Sequence, residues 1–88
     1  MIRRRVVARG RVQGVFFRDS TRERADAEGV AGWVANRPDG TVEAVLEGDA
    51  DAVEAVVAWM QDGPRRAEVD RVEVDDEEPE GLRDFTVR

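Results

Sequence analysis

The residues of this chain that are able to do chemistry gather in one run, GRVQGVFFR, from Gly10 to Arg18. A strand-like stretch, Val6 to Val12, leads into Gln13-Gly14, two aromatics and an arginine, and Asp19-Ser20 then opens a helical stretch. Gly14 lets the backbone turn with N–H groups pointing inward. A helix start leaves further N–H groups without intrahelical acceptors, and Arg18 adds a planar cation with several donors. Together these parts make a cradle for a small tetrahedral anion, phosphate first among them. The same spacing also occurs in strand-to-helix turns that bind nothing.

Missing residue types narrow the chemistry. Histidine and cysteine are both absent. Ser-His and Cys-His nucleophile systems, histidine acid–base catalysis, His/Cys zinc sites and disulfides are therefore excluded. Acidic residues outnumber basic ones, 20 to 14, for a net charge of −6. That balance argues against a general nucleic-acid binder and against adhesion to anionic membranes. Every basic residue is arginine, which reads as genome composition, not function. The start, Met1-Ile2 with Arg3-Arg4-Arg5, has a basic flank but no apolar core of a signal peptide, and nothing later is apolar for long enough to span a bilayer. A cytoplasmic monomer without cofactor or metal is expected. Its 88 residues make a single domain, 1–88, with one modest core.

Hydrophobic periodicity supplies the elements that must position the cradle. Val6, Ala8, Gly10 and Val12 alternate with Arg5, Val7, Arg9 and Arg11, as in a strand with one buried face. A helix is expected from Ser20 to Glu28, ended by Gly29, with a thin stripe of Phe17, Thr21 and Ala25 and with Val30 just beyond. Ala31 to Ala35 reads as a second strand carrying Trp33. The turn NRPDG, Asn36 to Gly40, returns the chain antiparallel into Thr41 to Glu47, with Val42, Ala44 and Leu46 inward and Glu43 and Glu47 outward. Asp51 caps a second helix with Glu54 as its capping-box partner. Val53, Val56, Val57 and Met60 form that helix's buried stripe, and Gly63-Pro64 ends it. Ala67 to Asp75 is a fourth strand with a phase shift, hence a bulge, near Asp70-Arg71. Asp75 to Gly81 is an exposed acidic loop, and Asp84 to Arg88 a short last strand with Phe85 and Val87 on one face.

The order β-α-β-β-α-β plus a terminal strand implies an α+β, ferredoxin-like split βαβ sandwich, with two helices on one face of an antiparallel sheet. On the open face Arg5, Arg9 and Arg11 are expected to pair with Glu43 and Glu47, as cross-strand ion pairs and not as a polyanion-binding stripe. In this topology the first and second strands run parallel, so the turn leaving the first and the end of the second share one edge of the sheet. Asn36, the only asparagine, therefore approaches the Gln13–Arg18 cradle. Asp39-Gly40 already supplies the turn, which frees the Asn36 amide to orient a water or to donate to a bound oxygen. Gln13 is expected to order the turn. Phe16 and Phe17 are assigned to wall and core, and Trp33 and Trp59 to the core.

On these residues the chain resembles acylphosphatases. GRVQGVFFR is similar to that family's G-x-V-Q-G-V-x-F-R signature, and GWVANRPDGTVE to its G-W-V-x-N-x-x-D-G-x-V-E signature. The likeness continues through GPRRAEVDRVEV to GLRDFTVR and so covers nearly the whole chain; Glu28 departs from it, standing where an apolar residue is expected on the first helix. The resemblance implies hydrolysis of acyl phosphates, which are carboxylic–phosphoric anhydrides, without metal or cofactor. It implies that Arg18 binds the phosphate with the backbone N–H groups of Gly14, Val15, Phe16, Phe17 and Arg18, and that Asn36 positions the attacking water. The missing histidine then makes chemical sense, because a carboxylate leaving group with a pKa near 4 departs without a general acid. A non-catalytic phosphate-binding module within a larger assembly, as in carbamoyl-transfer proteins, is the first competing reading. An RNA-binding module is the second; it is disfavoured by net charge and by the absence of aromatics at Arg9, Arg11, Glu43 and Val45 on the central strands.

Overall fold

Strand β3 (Val42–Gly48) organises the molecule, because both halves of the chain pair with it. The computed structural model describes all residues from Met1 to Arg88. In chain order, β1 is Ile2–Arg11, α1 Phe17–Glu28, β2 Ala31–Asn36, α2 Ala50–Asp62, β4 Glu68–Glu77 and β5 Phe85–Val87, with β3 between β2 and α2. The sheet order is β4-β1-β3-β2-β5. β1 and β2 are both antiparallel to β3 and therefore parallel to each other. Val42 is opposite Ala8 on one side and Asn36 on the other, so the ends of β1 and β2 reach the same edge. The expected split βαβ sandwich is what the chain forms. Four strands are antiparallel as expected, but β5 runs parallel to β2, so the sheet is mixed.

Both helices cover one face. Val6, Ala8 and Val12 of β1 and its extension, Val34, and Val42, Ala44 and Leu46 of β3 pack against Phe17, Ala25, Val53, Val56 and Met60 in one core cluster. Phe17 and Trp59 meet ring to ring with centroids 5.7 Å apart. Asp70 is the extra residue of a bulge in β4, since Arg9 is opposite Arg71 while Gly10 is opposite Val69. No helix is long and apolar enough to cross a membrane.

Several local expectations give way to tertiary contacts. Helix α1 begins at Phe17, not Ser20, and the cap is Phe16 in a left-handed conformation with φ 63°. Helix α2 begins at Ala50 with Asp49 as an extended cap that makes no side-chain hydrogen bond, so the Asp51–Glu54 capping box is absent. Glu54 instead accepts from Arg4 Nη2 at 2.7 Å. Trp33 is not in the core: it lies half-buried on the open face with the Arg88 and Arg5 guanidinium groups 4.5 and 5.7 Å from its ring centroid. The arginine ladder does form ion pairs. Arg5 meets Glu43 as expected, but Arg9 and Arg11 pair with Glu73 and Glu68 of β4.

The largest correction concerns Glu47 and the acidic segment. Asp75, Asp76 and Glu77 belong to β4, and only the residues after them form a connection. That connection must travel from one edge of the sheet to the other, and it folds over Glu47. The Glu47 carboxylate accepts from the N–H groups of Glu80 at 3.1 Å, Gly81 at 2.6 Å and Leu82 at 3.0 Å, and from Arg3 Nη1 at 3.1 Å. Glu47 is therefore only 1% exposed, although it points away from the helices. Burial works against its charge, but the N–H groups of Glu80 and Leu82, Arg3 and the Gly81 N–H outweigh burial and hold its pKa below the ordinary value of 4.5. Arg5 and Arg3 likewise lower Glu77, and Arg9 lowers Glu73.

Depressed carboxyl pKa values stabilise the fold above the unfolded-state value, and that contribution is lost as pH falls through the lowered folded values. The melting temperature should therefore drop on acidification below about pH 4.5. Glu47→Gln should cost about 2 kcal/mol at pH 7, because an amide replaces the charged acceptor of three backbone N–H groups, while Arg3 keeps Glu77 and Glu80 as partners. It should also flatten the acid limb of the melting curve. Thermal melts of both proteins between pH 3 and 7 check this.

Candidate active site

At the edge shared by β1 and β2 lies a hollow of about 340 Å³, lined among others by Gly14, Phe16, Arg18, Asp19, Asn36 and Val87. Its backbone is set by two left-handed residues. Gly14 has φ 75° and Phe16 φ 63°. Glycine adopts such angles freely, whereas in Phe16 they cost about 1 kcal/mol. The N–H groups from Gly14 to Asp19 reach no protein acceptor; the first bond of the turn runs from Ser20 N–H to Phe16 O at 3.1 Å. Because no side chain caps α1, these donors remain open.

Arg18 sits in the first turn of α1 and pairs with no Asp or Glu side chain. Its Nη1 donates to the main-chain oxygen of Arg88 at 2.9 Å, which orients the guanidinium. Arg88 is in turn tied to β2 by its N–H, which donates to Val34 O at 2.8 Å. Asn36 is exposed at the end of β2, and its amide makes no hydrogen bond within the protein. The turn after it stands without its help. Asp39 accepts from Thr41 N–H at 3.1 Å and Thr41 Oγ1 at 2.6 Å, and Gly40 N–H donates to Arg37 O at 3.1 Å.

Gln13 orders this region, as expected. Its Nε2 donates to Arg37 O at 2.8 Å and Thr41 O at 2.9 Å, bridging the loop after β1 to the turn after Asn36. Gly14, Phe16, Phe17, Arg18 and Asn36 all border the hollow. Val15 does not: its side chain is buried in the core, while its N–H stays unpartnered. Phe17 is core and Phe16, 67% exposed, is wall. Two contributors to this region escaped the sequence reading, Val87 and the main-chain oxygen of Arg88. Only the parallel placement of β5 beside β2 brings them here. Nowhere in the structure do three His, Cys, Asp or Glu side chains converge as ligands for a metal ion.

The acylphosphatase family profile matches residues 4–87. The chain belongs to the acylphosphatase family. An acylphosphatase of Rubrobacter xylanophilus is 60% identical over 85 residues, which are 96% of this chain and 77% of that protein. Among solved structures, an acylphosphatase from Bacillus subtilis superposes with a TM-score of 0.97 at 36% identity, covering 100% of this chain and 99% of that one. Full-length HypF, in its phosphate- and nucleotide-bound form, matches with a TM-score of 0.92 at 26% identity, covering 99% of this chain but 12% of its own. Family membership makes the protein a hydrolase acting on acyl phosphates.

The Gln13 bridge has a measurable consequence. Gln13→Ala should speed hydrogen exchange at the Arg37 and Gly40 amides by about fivefold, the loss of roughly one net hydrogen bond. Gln13→Glu should do more harm, since a carboxylate would face two carbonyl oxygens. Amide exchange followed by NMR checks both.

Proposed function

We propose that the hollow hydrolyses acyl phosphates without a metal ion, the phosphoryl group lying against Arg18 and the N–H groups of Gly14, Val15, Phe16, Phe17 and Arg18. The observation that carries this reading is that Arg18, without an Asp or Glu partner, and the free amide of Asn36 border one hollow beside a loop whose N–H groups have no acceptor in the protein. Phosphoryl transfer passes through a loose transition state, so positioning and charge stabilisation do most of the work. Arg18 and the loop donors take the charge on the phosphoryl oxygens.

Asn36 holds a water in line with the bond to be broken. The water oxygen bonds to phosphorus as the bond from phosphorus to the acyl oxygen breaks. The electron pair leaves on a carboxylate, stable unprotonated at neutral pH, and the water's proton passes to a phosphoryl oxygen. The phosphoryl group supplies most of the recognition, in a monomer that needs no nucleic-acid partner and works in the cytoplasm. The likeness to a segment of HypF favours phosphate binding as a minimum, and turnover by this chain alone separates an enzyme from a binding module.

Benzoyl phosphate hydrolysis should proceed unchanged in EDTA and be inhibited competitively by inorganic phosphate. Loss of activity in EDTA with recovery on adding a divalent ion would overturn the metal-free reading. Arg18→Ala should lower kcat/KM by about 10³-fold or more and abolish phosphate inhibition, by analogy with loss of a charge-stabilising arginine. Arg18→Lys should recover little, because a point charge cannot engage two oxygens as a planar fork does. Asn36→Ala should lower kcat by about 10²–10³ while phosphate inhibition barely changes. Melting curves of each variant separate these effects from unfolding, and a folded Asn36→Ala with normal kcat would remove Asn36 from the mechanism.

A further inference from the structure

Phe16 also lines a second, neighbouring hollow of about 660 Å³ that Asn36 does not border; its other walls are Val15, Ser20 and Pro64, Arg65 and Arg66. Most arginines of this acidic chain are committed to carboxylates: those at 3, 4, 5, 9, 11, 22, 37 and 71 all stand in ion pairs. Arg65 and Arg66 are exposed, and neither guanidinium meets a carboxylate. The loop that carries them is fixed to the site. Gly63 has φ 71°, and a Cβ there would come within 2.7 Å of the Phe17 ring, so the loop lies directly on the neighbour of Arg18. Ala67 N–H donates to Pro64 O at 2.9 Å, and Arg11 Nη2 to the Arg66 carbonyl at 3.2 Å.

In-line displacement fixes where the rest of the substrate goes. Water held by Asn36 attacks from one side of phosphorus, so the acyl group departs from the opposite side. Asn36 borders only the first hollow and Phe16 borders both, which leaves the exposed Phe16 ring as the apolar floor between them. Resting on the hydrolytic reading above, we propose that the second hollow receives the acyl group and that Arg65 and Arg66 select acyl phosphates whose acyl group ends in a second anionic group. Two free guanidinium groups on the wall of one hollow recognise a terminal carboxylate or phosphate by charge-assisted hydrogen bonds.

A rigid pair of substrates tests this: benzoyl phosphate and 4-carboxybenzoyl phosphate, which differ by one anionic group that cannot fold back on the anhydride. The wild-type protein should favour the carboxylated substrate by about fivefold in kcat/KM, mostly through KM, a size set by exposed ion pairs. The preference should shrink in 0.5 M salt as those charges are screened. Arg65→Ala/Arg66→Ala should lose the preference yet turn over benzoyl phosphate as before, and Arg65→Glu/Arg66→Glu should reverse it. Both side chains are exposed, and melting curves confirm that the variants fold. No preference in the wild-type protein, or an equal loss on both substrates in the alanine variant, would overturn the subsite while leaving the hydrolytic reading intact. Failure of the wild-type protein to hydrolyse benzoyl phosphate would overturn both readings.

Discussion

Everything at the site depends on the backbone pairing of β3 with two strands at once. Because β1 and β2 both run antiparallel to it, their C-terminal ends meet at one edge, and Val42 fixes how far each extends. Register along β3 is guarded by burial. Val42, Ala44 and Leu46 are fully buried, and a slip by one residue would bring Glu43 and Glu47 to the helix face. A cradle on the turn from β1 into α1 and an amide at the end of β2 thus become neighbours without any direct hydrogen bond between them.

The distribution of charge follows from the same frame. Carboxylates on the open face neutralise the β1 arginines, while the arginine of the first hollow pairs with no Asp or Glu side chain and meets the Arg88 main-chain oxygen. Glu47 contributes at long range. By gathering three N–H groups of the β4–β5 connection it fixes the path by which β5 returns beside β2, and β5 is followed directly by Arg88, whose oxygen receives Arg18.

Local instability at the loop leaves its N–H donors free. A side-chain cap on α1 would contribute about 1 kcal/mol to stability but would occupy donors that otherwise have no partner in the protein. The chain instead turns into the helix through Phe16 at positive φ, and the N–H groups stay open to an anion. The ring of Phe16 is left exposed by that turn, which is where the two hollows meet.

The strand alternation of β1 and β3, the helix stops at Gly29 and Gly63, the bulge at Asp70 and the turn at Asp39-Gly40 were all legible in the sequence, because each is set by local periodicity or by one residue's backbone freedom. The approach of Asn36 to Arg18 was legible too, since the element order alone makes β1 and β2 parallel. What covers a given face was not. Alternation places Glu47 opposite the helices, but only the later segment folding across it makes it buried; the same holds for Trp33 between two guanidinium groups and for Glu54, drawn from its own helix cap to Arg4. The early start of α1 came from a strained backbone turn that no capping residue announces. Local pattern decided the elements and their order, whereas the partners of each charged group depended on segments distant in the chain, which only the folded structure brings together.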